Sequence, residues 1–172
     1  YTLGQLGFVG AFEQIKAALF DHADDVNAAA AFALGELARQ GSTQISIAVC
    51  EALYQVWYRE QSGGLPLGLD AQIQVLRATA ECVTSSPHPI VQQQVAALLV
   101  AALDHTEHIL RQLAVIGLGR LGDPRALPVL GQRLMDTESG VRRNAAYAIG
   151  ALKASQGAHI LVESAAGQPS EV

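Results

Sequence analysis

Val26, Ala29, Ala30, Ala33, Leu34 and Leu37 recur at i, i+3, i+4, i+7, i+8 and i+11, which is one apolar face of an α-helix. The same face returns in Leu110, Leu113, Ala114, Gly117, Leu118 and Leu121, and again in Val141, Ala145, Ala148, Ile149 and Leu152. A second apolar strip lies roughly opposite each of these: Ala31 with Gly35, Val115 with Gly119, Ala146 with Gly150. Helices apolar on two faces are sandwiched between neighbours. A mid-helix glycine costs about 1 kcal/mol relative to alanine, so the recurring glycine predicts close approach of an adjacent helix.

These helices belong to a repeat. Residues 1–37 align without a gap onto residues 116–152, an offset of 115. Leu3, Gly4, Leu6 and Gly7 fall on Leu118, Gly119, Leu121 and Gly122, and Val26, Ala30 and Gly35 fall on Val141, Ala145 and Gly150. Within each block the unit recurs every 31 residues, with Gly4 and Gly35 equivalent, as are Gly119 and Gly150. A unit of this length is a helix-turn-helix that needs neighbours to bury its faces, so the expected fold is all-α, a solenoid of stacked units.

Local signals place the boundaries. Gly122-Asp123-Pro124 puts a glycine past one helix, then an N-cap aspartate and a first-turn proline. Pro128 lies one turn further in and predicts a kink. Asp136–Gly140 predicts a turn, with Glu138 or Ser139 opening the next helix. The centre departs from the period: a long helix over Ser42–Glu60, a loop over Gln61–Gly68, then helices over Asp70–Thr84 and Pro89–Asp104. About nine helices are expected in one array over 1–172. Residues 1–60 form the N-terminal units, 61–69 a loop, 70–166 the C-terminal units and 167–172 a polar tail. Tyr1-Thr2-Leu3-Gly4 matches Tyr147-Ala148-Ile149-Gly150, the middle of a helix. The first helix therefore reads as truncated, with earlier repeats expected before Tyr1 and assembly conceivable through that end.

Composition narrows the function classes. Half of the residues are hydrophobic but only 5% are aromatic, so Ala, Leu, Val and Ile must do the packing. The net charge of −5 argues against nucleic acid as partner. No apolar run approaches the roughly 18 residues of a membrane span. Cys50 and Cys82 fit neither a disulfide framework nor a zinc motif, and a reducing cytoplasm is the expected compartment.

The run Asp123-Pro124-Arg125-Ala126, Leu130, Leu134 and Val141-Arg142-Arg143-Asn144-Ala145-Ala146-Tyr147-Ala148-Ile149-Gly150 resembles the phycobilisome-lyase type of HEAT-like repeat. The resemblance is closest over 107–152, clear over 1–40 and loose over 42–106. It implies an α-solenoid of HEAT-like repeats acting as a protein-binding scaffold, with a phycobiliprotein or the phycobilisome as the implied partner. The alternative it implies is a bilin lyase or lyase subunit, with a bilin as ligand. The resemblance transfers no catalytic residue. The deoxyhypusine hydroxylases, HEAT-repeat proteins that bind iron through His-Glu dipeptides, are excluded because no such dipeptide is present.

Tyr54, Trp57 and Tyr58 lie at i, i+3 and i+4 beside the loop, and clustered Trp and Tyr are the residue types of binding hot spots. They serve equally well as cover for the irregular centre. Arg111, Arg142 and Arg143 stand near the starts of equivalent helices. Arginines at one repeated position commonly hold turns and carboxylates between units; Arg111 and Arg143 are also candidates to receive an acidic partner or propionates. Asp104, His105, Glu107 and His108 cluster at one helix start, but no third ligand with matching spacing completes a metal site. No cofactor is expected. Cys50 and Cys82 read as small buried hydrophobes, Cys82 at a position like that of the repeat glycine.

Overall fold

The computed structural model describes residues 3–59, 64–85 and 88–152. Among them are eight α-helices and no strand: α1 Leu3–Ala18, α2 Asp24–Gln40, α3 Thr43–Trp57, α4 Leu69–Ser85, α5 Pro89–Leu103, α6 His108–Leu121, α7 Leu127–Arg133 and α8 Ser139–Ala151. The expected ninth helix and the tail lie outside the described residues, as do Tyr1 and Thr2.

The helices form two rows. The even-numbered ones pack in sequence, α2 on α4, α4 on α6 and α6 on α8, while each odd-numbered helix backs onto its partner. Leu34, Leu53, Leu76, Leu98, Leu99, Leu110, Leu118, Leu130 and Ile149 are all but fully buried between the rows. Each such side chain contributes about 1.5–3 kcal/mol of apolar burial.

The glycine strip is where the even row closes up. A Cβ built on Gly35 would lie 3.0 Å from both Cα and Cβ of Ala78 on α4. One on Gly119 would lie 2.9 Å from Cβ and 3.1 Å from Cα of Ala148 on α8. Ala78 therefore takes the place in α4 that Ala148 takes in α8. With that register, Ala80 is the α4 equivalent of the repeat glycine, and Cys82 is the equivalent of Leu37, Leu121 and Leu152. Cys82 is a core residue at a leucine position, not at the glycine position.

Two local expectations give way. α1 runs unbroken from Leu3 to Ala18, through Gly7. Its repeat equivalent stops at Gly122, the one residue among those described with a positive φ (70°). The difference is the missing stop signal: Phe8 and Val9 stand where Asp123 and Pro124 stand, so nothing caps a new helix or removes a donor. Pro128 also produces no kink. Pro124–Ala126 is a 3-10 turn, and α7 begins at Leu127 with Pro128 in its first turn, where an N–H has no helical partner to lose. In the centre, α3 ends at Trp57 rather than Glu60, and residues 64–68 form no regular structure.

Candidate functional site

The arginines singled out by their repeat position serve the loops that join odd to even helices. Arg111 donates to the carbonyl oxygens of His105 (3.0 Å) and Thr106 (2.8 Å). Arg142, its equivalent one unit on, donates to those of Asp136 (2.7 Å) and Thr137 (2.8 Å). Asn27 fills the same position in α2, and its amide donates to Asp21 O (3.1 Å). The turns themselves repeat: Asp21, His105 and Asp136 each accept, through the side chain, from the backbone N–H two residues on.

Arg111 goes further and pairs with the carboxylate of Asp136 in the next unit, at 2.9 and 2.8 Å. Both side chains are withdrawn from water, at 11% and 4% exposure. The guanidinium beside it, with the Glu138 N–H, holds the Asp136 carboxyl down at about 2. Two further arginines link units along the same edge. Arg133 donates to Leu103 O and to the Asp104 carboxylate. Arg59 donates to Leu19 O, Asn27 Oδ1, Leu65 O and Pro66 O. Arg59 escapes sequence reading because the irregular centre gives it no repeat equivalent to compare.

The remaining candidates are dispersed. Tyr54 and Trp57 are half-buried against the core on α3, in the odd row, and the Tyr54 and Tyr58 rings lie 4.7 Å apart. Arg143 is exposed on α8, remote in sequence and row from these aromatics. Cys50 and Cys82 are both buried thiols, and the Cys50 side chain together with burial pushes the Cys82 thiol up, away from nucleophilic reactivity. His88 caps α5, its Nδ1 accepting from Ile90 N. No cluster of three or more potential metal ligands occurs among the described residues.

What the fold does assemble is a groove of about 440 Å³ across α2, α4 and α6, on the face of the even row turned away from the odd one. Phe32, Leu113 and Ile116 supply its apolar lining, with Phe32 59% exposed. Glu36 pairs with Arg39, Glu81 pairs with Arg120 at 3.5 Å, and Arg77 lies between. The sequence hides this site because its lining is divided among three helices, with four residues from α2, six from α4 and three from α6, so no single helix carries a recognisable motif. The one available signal is that Phe32, Ile116 and Tyr147 are repeat equivalents, and all are large.

Comparison with known proteins agrees with this geometry. The family profile for HEAT repeats matches residues 95–172. Crystal structures of two engineered proteins, both structural genomics targets, superpose with TM-scores of 0.63 and 0.61 at 19% and 20% identity. Each alignment covers 90% of this chain, and 68% and 69% of the engineered chains.

The fold is an α-solenoid of HEAT-like repeats.

No curated protein matches the chain in sequence. In the HEAT-like solenoid the groove is formed by the second helices of consecutive repeats. No helix among the described residues is long and apolar enough to cross a membrane.

Proposed function

We propose that this HEAT-like solenoid is a non-catalytic scaffold that holds a partner protein against the α2–α4–α6 groove. The observation that supports it is Phe32, an aromatic side chain left 59% exposed over the apolar lining of the groove. Exposed aromatic residues beside a concave apolar floor are the usual anchors of protein recognition. Tyr54, Trp57 and Tyr58, with Arg111 and Arg143, remain a second candidate surface, although Arg111 has most of its donors engaged in the loops.

The partner that the repeat type favours is a phycobiliprotein. Titration of a purified phycobiliprotein, followed by sedimentation velocity, tests this reading. Phe32→Ala is expected to weaken the complex about tenfold or more, and paired Trp57→Ala and Tyr58→Ala to leave it near wild type. The reverse ranking moves the partner to α3, and the absence of any complex removes the phycobiliprotein assignment. The lyase alternative draws on Arg39, Arg77 and Arg120, which could meet bilin propionates in the same groove. It predicts a shifted visible absorbance when free bilin is mixed with the protein; an unchanged spectrum rejects it.

A further inference from the structure

The register fixed by Ala78 and Ala148 aligns one row of residues across the groove. Phe32 on α2, Ile116 on α6 and Tyr147 on α8 are repeat equivalents, and the residue before Ala78 places Arg77 in the same row on α4. Apolar groups are the rule in this row and a guanidinium interrupts it. Phe32 and Ile116 border the groove with Arg77 between them. The chain carries −5 overall, yet the groove holds three arginines against two glutamates. Arg39 pairs with Glu36 and Arg120 with Glu81. Among the described residues Arg77 is exposed and makes no hydrogen bond or ion pair.

We infer that the groove takes an extended protein segment with two apolar anchors on either side of a carboxylate, the anchors meeting Phe32 and Ile116 and the carboxylate meeting Arg77. This rests on the scaffold reading above and specifies the chemistry of its partner. The charge complementarity is direct: an arriving carboxylate completes the unmatched guanidinium, while an arriving amine faces a net positive floor. Packed helices stand about 8–10 Å apart, so the anchors are roughly 16–20 Å apart with the acid midway. An extended chain advances about 3.3 Å per residue, which sets the pattern as an apolar residue, about two spacers, Asp or Glu, about two spacers, and a second apolar residue.

A random-peptide phage library panned on the full chain tests the assignment. Arg77 is exposed on a helix surface, and an unchanged thermal melt establishes that the variant is folded. Enriched peptides are expected to be acidic and to carry that spacing. As synthetic fluorescein conjugates read by anisotropy, they should bind Arg77→Glu about tenfold more weakly. Phe32→Ala should weaken them as well, whereas Arg125→Glu, on an exposed turn outside the groove, should leave binding unchanged. Neutral or basic winners, or acidic winners indifferent to both Arg77→Glu and Phe32→Ala, overturn the groove assignment and leave the scaffold reading standing. No enrichment over the uncoated surface counts against both. A single-stranded oligonucleotide that competes with the peptides and loses affinity in Arg77→Glu replaces the protein segment by nucleic acid and overturns the inference.

Discussion

Asp136→Ala is expected to destabilise the protein by about 2–4 kcal/mol, between the ranges for an exposed ion pair and for a fully buried one broken on one side. The reason lies in what remains. Arg111 keeps its charge at 11% exposure, its two loop carbonyls satisfy only part of the guanidinium, and the carboxylate that balanced it is gone. The same substitution removes the acceptor for the Glu138 N–H at the start of α8. Asp136→Asn keeps that acceptor and isolates the charge. The pH dependence has a definite sign. The folded-state value of about 2 lies below the ordinary 3.8, so the stabilisation is fully present above about pH 4 and is lost as pH falls toward 2. A depression of that size corresponds to roughly 2 kcal/mol. Urea denaturation at neutral pH and at pH near 3 checks both points. Wild type should lose about half of this increment at pH near 3, and Asp136→Asn should have little of it to lose. Equal midpoints for wild type and Asp136→Ala at neutral pH would remove the pair from any account of stability.

Gly119→Val is expected to destabilise by about 3 kcal/mol or more, and Gly119→Ala by a smaller amount of the same sign. Helix propensity acts the other way, since alanine in place of glycine gains about 1 kcal/mol in a helix interior. Sterics win because of what the new atom meets. At Gly119 the neighbours are Cβ and Cα of Ala148, at 2.9 and 3.1 Å, and neither can rotate aside. α6 and α8 must separate, and the gap forfeits contacts along both helices. Ala148→Gly removes the opposing Cβ and should restore part of the loss in Gly119→Ala, which thermal melts of the single and double variants measure. Additive losses would show that the crossing is not the cause.

The fold is legible in the sequence where one physical demand has one solution. Gly35 and Gly119 are wasteful in a helix unless another helix crosses there, and both crossings occur. Gly122-Asp123-Pro124 stops one helix and starts the next through three separate effects that agree. Legibility fails where a signal is relational. Gly7 resembles Gly122, but without an Asp-Pro pair behind it the helix continues. Pro128 is a breaker only in a helix interior, and the preceding 3-10 turn makes its position a first turn. The alignment of α4 with its neighbours is invisible from sequence because the centre departs from the 31-residue period; the crossing at Ala78 supplies it. That is why Arg77 and Ala80 could not be placed, and why Cys82 reads as a glycine equivalent when it is a leucine equivalent. The groove stays hidden for a related reason, since no single helix contains it.

The arginine contacts have a mechanical consequence. Arg59, Arg111 and Arg133 each reach from one unit to the next, and all three do so along the edge where odd helices turn into even ones. On the opposite edge the Glu81–Arg120 pair also spans two units, but at 3.5 Å and largely in solvent it is a weaker tie, and the Asp123–Arg125 pair stays within one turn. A stack bound along one margin behaves like the leaves of a book. Its softest motion is a fanning of units about the spine, which changes the pitch of the array while leaving spacing along the bound margin nearly constant. The mouth of the groove widens or narrows with that pitch, so a segment seated across α2, α4 and α6 would set the curvature of the whole array as it binds.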